Sequence, residues 1–118
     1  MEFDRWTVLL LRRREPGPPL SDATQDELQD RHLAYLTGLH SDGRLVAAGP
    51  VEGAGAQGIA GICIYRGGVE EARALAENDP AVQAGRFSCE VFSWSVPGGA
   101  MRFAPVRFPR SMKEATED

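Results

Sequence analysis

The sequence predicts an α+β fold whose elements follow the order strand, helix, strand, strand, helix, strand. Three observations predict it. Three segments are rich in β-branched and aromatic residues, a fourth is short and largely apolar, and two further segments repeat apolar residues with helical spacing. Glycine and proline stand at most of the joints between these segments. The length of 118 residues fits a single domain and leaves no room for two.

The first strand is predicted over residues 3–12, and residues 13–20, with three prolines and a glycine, form a loop. A helix is predicted to begin near Thr24, because Thr24 and Glu27 have the spacing of a capping box. Gly43 stands where a left-handed residue would end that helix. Helical spacing joins Leu28, His32, Tyr35, Leu36 and Leu39.

The second strand is predicted over residues 44–48, ended by Gly49 and Pro50. Residues 51–58 form a loop with three glycines that can turn sharply. These glycines lack the strand-turn-helix setting of a dinucleotide site. Residues 59–65 are apolar on both faces, which predicts a central third strand.

The second helix is predicted over residues 69–77 and stopped by the segment before Pro80, because a residue before proline disfavours helical geometry. Residues 86–96 alternate and form the last strand. The predicted domain therefore spans residues 1–96. Residues 97–118 form a C-terminal arm or tail in which arginines and phenylalanines interleave. This pattern suits an arm that packs on a partner subunit. From residue 112 onward the sequence is polar, which predicts a frayed end.

This element order is the ferredoxin-like arrangement, a four-stranded antiparallel sheet with both helices on one face. Apolar residues on both sides of the strands imply that something covers the other face. A second copy of the same sheet is the simplest cover, so the sequence predicts a homodimer.

Composition and charge exclude several partners. A formal net charge of -4 argues against general attraction to nucleic acid. No apolar run is long enough to cross a bilayer, so no membrane association is expected. The opening residues carry Glu2 and Asp4 and lack the basic start and apolar run of a signal peptide, which predicts a cytoplasmic protein.

Cys63 and Cys89 fall in the third and fourth predicted strands, which the first strand separates in a ferredoxin-like sheet. Both are therefore predicted to be free thiols. The chain has no Cys-x-x-Cys pair and no His-rich spacing, so neither a metal nor another cofactor is expected.

His32 is the most informative residue, because it lies four residues after Leu28 and four before Leu36 on the inward face of the first helix. Alone, it suits a structural histidine with a hydrogen-bond partner. Asp79, alone, suits a turn or cap. Together they suit acid/base chemistry, because a carboxylate bonded to one ring nitrogen leaves the other nitrogen basic.

The chain resembles the YCII-related proteins over about residues 3 to 96. The resemblance is carried, in order, by Arg31-His32-Leu33-Ala34-Tyr35-Leu36, Gly43-Arg44-Leu45, Ala48-Gly49-Pro50, the Glu70-Glu71-Ala72 helix running into Asp79-Pro80, Gly85-Arg86-Phe87 and Trp94. The chain departs from the family pattern in its longer first connection and its longer tail.

The resemblance implies a ferredoxin-like dimeric α/β barrel and a His-Asp active site at His32 and Asp79. Relatives are similar in fold to muconolactone isomerases, and one branch includes a dehydrochlorinase acting on a chlorinated hydroquinone. Tyr35 and Trp94 are candidate walls of a pocket for a ring-shaped ligand, with core packing as the alternative. Gly49 and Pro50 are the further predicted substrate-binding residues.

Two other features have competing interpretations. The run from Arg12 to Arg14 is interpreted as a solvated charge run, with forked hydrogen bonds to an anionic substrate as the alternative. His40 lies near the helix end and suits a capping role in the field of the helix dipole.

The leading functional hypothesis is a cofactor-independent isomerase or dehydrochlorinase-like lyase acting on a small cyclic or aromatic metabolite. In it, His32 transfers a proton and Asp79 orients the ring. The alternative is a non-catalytic ligand-binding or interaction module, in which the same pair closes the core with a buried hydrogen bond. An open pocket beside His32 favours the enzyme, and a filled core favours the module.

Overall fold

A computed structural model describes residues 1–53 and 58–117. Its elements are β1 (Phe3–Arg13), α1 (Asp22–Ser41), β2 (Leu45–Pro50), β3 (Ile59–Tyr65), α2 (Val69–Glu77), α3 (Pro80–Gln83), β4 (Phe87–Pro97) and α4 (Met112–Ala115). The strands form one antiparallel sheet in the order β2-β3-β1-β4. This confirms the predicted α+β, ferredoxin-like fold, and it places β3 in the interior of the sheet as its apolar sequence predicts.

The sheet buries one face against the helices. Along β1, alternate residues Thr7, Leu9 and Leu11 are buried, because successive side chains of a strand point to opposite faces. Leu9 pairs with Cys63 of β3, and Leu11 pairs with Cys89 of β4. The two cysteines therefore flank β1 as free thiols, as predicted.

The α1 helix begins two residues earlier than the sequence predicts. Its N-cap is Ser21, whose hydroxyl accepts a hydrogen bond from the Thr24 backbone N–H at 3.2 Å. Thr24 is thus the third helical residue and not the cap. The other end agrees with the prediction, since Gly43 follows the helix with a φ of 79°, a conformation in which glycine carries no steric penalty.

The β2 strand continues through Gly49 and Pro50 instead of ending before them. β2 is an edge strand, where a proline is tolerated because one side needs no ladder hydrogen bond. Pro50 pairs with Gly61, and a Cβ on Gly61 would lie 3.0 Å from the Gly49 carbonyl oxygen, so the two strands approach closely here. The predicted glycine loop lies partly outside the described residues, which omit 54–57.

The α2 helix has the predicted bounds and ends at the C-cap Asn78. The sequence did not predict the short helix α3 that follows. Asp79 is its N-cap and Pro80 its first residue, the position where a proline fits without losing a hydrogen bond. The Asp-Pro corner therefore both stops α2 and starts α3.

The sheet face opposite the helices carries exposed apolar side chains. Ile62 is 39% exposed, Phe92 47% and Trp94 41%. Together with the partly exposed Trp6 and Val8 they form a surface that we call the open face. Homodimerisation through this face stays a prediction.

The tail after β4 packs on its own chain. Phe103 meets Trp6 edge-on, with ring centroids 4.9 Å apart, and Phe108 stacks on His40 at 3.8 Å. The Thr37 hydroxyl donates to the Pro109 carbonyl at 2.8 Å. The end that looks frayed in sequence forms α4 against α1, with the Met112 N–H donating to Asp30 at 2.8 Å, while residue 118 lies outside the described part.

None of the helices in residues 1–53 and 58–117 combines the length and the hydropathy needed to cross a membrane.

Candidate active site

His32 lies on the buried face of α1, as its spacing predicts. It is 6% exposed and lies between the buried Leu28 and Leu36. Its ring meets Phe87 at an angle of 62°, with centroids 5.7 Å apart. The surrounding apolar side chains hold the imidazole in one orientation.

Asp79 lies 2.6 Å from His32, measured between Asp79 Oδ2 and His32 Nδ1. The carboxylate is 2% exposed, and its other oxygen accepts the Ala81 backbone N–H at 2.9 Å. Capping α3 therefore fixes the carboxylate, and the carboxylate in turn fixes the imidazole. Because an ionised carboxylate only accepts hydrogen bonds, the neutral ring carries its proton on Nδ1 and leaves Nε2 as an acceptor.

A cavity of about 420 Å³ lies beside this pair, and His32 forms part of its wall. His32 Nε2 has no protein hydrogen-bond partner among the described residues. Among the described residues, Trp6 Nε1 is the only fully buried side-chain N or O atom without a hydrogen-bond partner. Because His32 Nε2 also lacks a partner and is not such an atom, it is not fully buried. Since His32 lines the cavity and its Nδ1 is bonded to Asp79, Nε2 is the ring nitrogen left for a group bound there. The volume falls in the range of about 300–1,000 Å³ that is typical of small-molecule sites.

The other predicted substrate-binding residues separate into two pairs. Gly49 and Pro50 line the cavity. Tyr35 is not among the residues that line it; its hydroxyl donates to the Leu75 carbonyl at 2.5 Å and ties α1 to α2. Trp94 lies on the open face, across the sheet from the cavity, where it pairs with Trp6.

Polar side chains that sequence reasoning did not assign to the site also line the cavity. They are Gln29 of α1, Glu52 after β2 and Arg86 before β4, together with Arg13 from the arginine run. Arg86 lies in the Gly85-Arg86-Phe87 segment that carries part of the family resemblance, so a signal for it was present in the sequence. Gln29 is one turn before His32 on α1, which is a weaker signal.

The tail contributes another part of the wall, through Phe108, Pro109, Met112 and Ala115. Sequence reasoning did not place the tail at the site, because nothing local in it indicates which surface it contacts.

Nearby thiols and phenols are held neutral. Burial raises the pKa of the Cys63 thiol to about 12, with the charge of Asp79 as a second cause. Burial likewise raises the pKa of Cys89 to about 11 and raises the pKa of Tyr35. Cys63 lines the cavity, but a neutral thiol is a poor nucleophile.

His40 has a different environment from His32. Its Nδ1 lies 2.7 Å from the Leu45 carbonyl, and the Val106 N–H donates to its Nε2 at 3.3 Å. It therefore joins α1 to β2 and to the tail, and its ring nitrogens do not bind the last carbonyls of its own helix as a cap would. Across residues 1–53 and 58–117, no group of three or more His, Cys, Asp or Glu side chains is arranged to hold a metal ion.

The chain is an α+β domain in which a buried His-Asp pair borders a cavity of about 420 Å³. The chain belongs to the YCII-related domain family, whose model matches residues 7–95. It is similar to 5-chloro-2-hydroxyhydroquinone dehydrochlorinase (TftG) from Burkholderia phenoliruptrix AC1100, a structure in complex with 2,5-dihydroxybenzoquinone. The identity is 26%, the TM-score is 0.56, and the match covers 75% of this chain and 92% of that one. No curated protein matches the sequence.

Proposed function

We propose that this protein is a cofactor-independent enzyme that transfers a proton on a small cyclic or aromatic metabolite, as an isomerase or as a lyase of the dehydrochlorinase type. The observation that carries the proposal is the placement of His32, whose Nδ1 is bound by Asp79 while its Nε2 remains available to the cavity. An imidazole that served only to close the core would not need a cavity of about 420 Å³ beside it.

In the proposed reaction His32 Nε2 removes a proton from a carbon or hydroxyl of the bound ring. The electron pair left behind forms a new double bond. In a lyase a substituent such as chloride departs with its bonding electrons, and the proton passes from Nε2 to solvent. In an isomerase Nε2 returns the proton to another carbon of the same ring.

Asp79 has the role of a positioning residue. Its negative charge at 2.6 Å stabilises the imidazolium that forms when Nε2 takes the proton. Its bond to the Ala81 N–H keeps it from rotating toward the cavity. Gly49 and Pro50 are proposed to contact the substrate, because both line the cavity and neither adds a long side chain to it.

The structural neighbour supports this class of chemistry. It shares the fold at 26% identity, it is named for a dehydrochlorination, and its structure contains a six-membered ring compound. A homodimer formed through the open face is part of the proposal, since exposed apolar residues there need a cover.

The test is chloride release from 5-chloro-2-hydroxyhydroquinone under anaerobic conditions, together with deuterium incorporation from D₂O into a panel of hydroxylated ring compounds. The wild-type protein should accelerate at least one of these reactions over the spontaneous rate. His32→Gln should lower the rate by roughly 10²-fold or more, the usual contribution of a general acid/base. A rate that does not change in His32→Gln, or no acceleration across the panel, refutes the proposal and favours a ligand-binding module.

A further inference from the structure

Two guanidinium groups lie at the wall of the His32 cavity. Arg13 ends β1, and Arg86 stands directly before β4. The two segments adjoin because Arg13 pairs with Phe87 in the sheet and the Arg14 N–H donates to the Arg86 carbonyl at 3.1 Å. Positions 73 residues apart in sequence are thus brought to one side of the cavity.

Neutral contacts hold both guanidinium groups. Arg86 Nη1 donates to Gln29 Oε1 at 2.6 Å, and its guanidinium lies 4.9 Å from the centre of the Phe87 ring. Arg13 Nη1 donates to the Ile59 carbonyl in a long bond of 3.4 Å. Each contact orients the group without neutralising its charge, and each leaves further N–H donors unused.

Neither arginine has a carboxylate partner among the described residues, whereas other arginines do. Arg12 pairs with Glu90, Arg73 with Glu70, and Arg107 with Glu114. Glu52 also lines the cavity but lies outside ion-pair distance of both Arg13 and Arg86. The cavity wall therefore carries two arginines that form no ion pair within this part of the chain.

This arrangement has an electrostatic cost. Partial burial lowers the pKa of Arg86, and the charge of Arg13 lowers it further. The group stays protonated, because a guanidinium remains charged across the physiological range. Two like charges on one cavity wall, of which Arg86 is partly buried, are stabilised when an anion binds between them, and forked N–H donors match a carboxylate or phenolate oxygen.

We propose that Arg13 and Arg86 form an anion-binding subsite of the His32 cavity, and that its ligand is a ring compound bearing a negatively charged oxygen substituent, a carboxylate or a phenolate. That this ligand is the substrate rests on the proposed function. The anion is held at the arginine side of the cavity while the ring extends toward His32. Arg13 is the member of the arginine run that takes this role, since Arg12 is paired across the open face.

The test compares benzoate with benzamide, which has the same ring and nearly the same shape but no charge. Binding is measured by NMR titration of the full chain at millimolar ligand. Wild type should bind benzoate about tenfold more tightly than benzamide. Arg86→Gln and Arg13→Gln should each remove most of that preference and leave benzamide binding unchanged. Arg73→Gln, an exposed arginine on α2, is the matched control and should bind benzoate as wild type does.

Arg86→Lys is the control for a folding defect in Arg86→Gln. It retains a positive charge, so it should keep part of the preference for benzoate over benzamide. Equal affinity for benzoate and benzamide, absence of benzoate binding, or an unchanged preference in both glutamine variants overturns the subsite.

His32→Gln separates this inference from the proposed function. If that variant keeps the benzoate preference and loses turnover, both stand. If it keeps both the preference and wild-type turnover, the subsite stands and the His32 mechanism fails. If wild type shows no preference while His32→Gln loses turnover, the mechanism stands and the subsite fails.

Discussion

Replacing Asp79 with asparagine should reverse the tautomer of His32. In the wild type one carboxylate oxygen accepts the Ala81 N–H and the other accepts the His32 Nδ1–H. Asparagine has the same shape but only one acceptor. The Ala81 N–H has no means of becoming an acceptor, so the amide oxygen stays beside it and the NH₂ group turns to His32. Nδ1 must then accept, and the ring proton moves to Nε2 on the cavity side.

The expected cost in stability follows from the same contacts. Asp79→Asn keeps both hydrogen bonds but exchanges a charge-assisted bond for a neutral one, so the free energy of unfolding should fall by about 1–2 kcal/mol. Asp79→Ala leaves two buried N–H groups without acceptors, at about 1–3 kcal/mol each, so its loss should be roughly 2–6 kcal/mol. Urea unfolding should therefore rank the alanine variant well below the asparagine variant.

The tautomer itself is measured by ¹⁵N chemical shifts of the imidazole nitrogens near neutral pH. His40 is an internal control, because its Nδ1 is bound to the Leu45 carbonyl and its tautomer should be the same in both proteins. A general base cannot act through a protonated Nε2, so turnover should fall together with the change in tautomer. An unchanged His32 spectrum in Asp79→Asn would refute the assignment of Asp79 as the residue that positions the ring.

Three further predictions concern other parts of the molecule. Phe92→Glu places a charge on the open face, so it should convert the predicted dimer to a monomer in sedimentation equilibrium. Ser95→Glu, on the other face of the same strand, is the control and should leave the dimer intact. A wild-type monomer of 12.8 kDa would contradict the dimer. Because burial raises the pKa of Cys63 from 9.0 to about 12, its neutral thiol contributes stability that is full below pH 9 and is lost as pH rises toward 12. The free energy of unfolding of wild type should fall about 1 kcal/mol per pH unit more steeply than that of Cys63→Ala in this window, and parallel curves would contradict this. Phe108→Ala removes the ring that stacks on His40, so it should cost roughly 1–2 kcal/mol and speed amide exchange along the tail; wild-type exchange rates would rule out that anchoring role.

Local patterns predicted most of the fold. The bounds of β3 and α2 agree with the prediction because glycines or a proline corner stand next to each of them. The start of α1 was wrong by two residues because Ser21 and Thr24 are both good capping residues, and sequence spacing alone favours the one followed by Glu27. The helix α3 was missed because its proline was treated only as the end of α2, although a proline also suits the first turn of a helix.

The candidate site was predictable only where a pattern pointed to it. His32 has helical spacing with its buried neighbours, so its inward direction followed from the sequence. Asp79 was paired with it because a carboxylate can orient an imidazole, and the family resemblance implies the same pair. The hydrogen bond between Arg86 and Gln29 joins residues 57 positions apart, and no local pattern encodes that contact. The sequence also could not place Trp94. Its aromatic ring suits a pocket wall and an exposed sheet surface equally well, and only the fold shows which face of the sheet it lies on.

The path of the tail bears on how ligand preference can change in this fold. The His-Asp pair is held by α1 and by the corner between α2 and α3, whereas part of the cavity wall is supplied by residues 108–115, beyond the region that the family model matches. Insertions and substitutions in that segment can therefore change the size of the cavity or the charge of its lining, while the hydrogen bonds of the pair stay in place. Two chains with the same domain and different endings would share the His-Asp pair and differ in the shape of the cavity beside it. A variant shortened to the matched domain would keep both residues of the pair and lose the tail's part of the cavity wall.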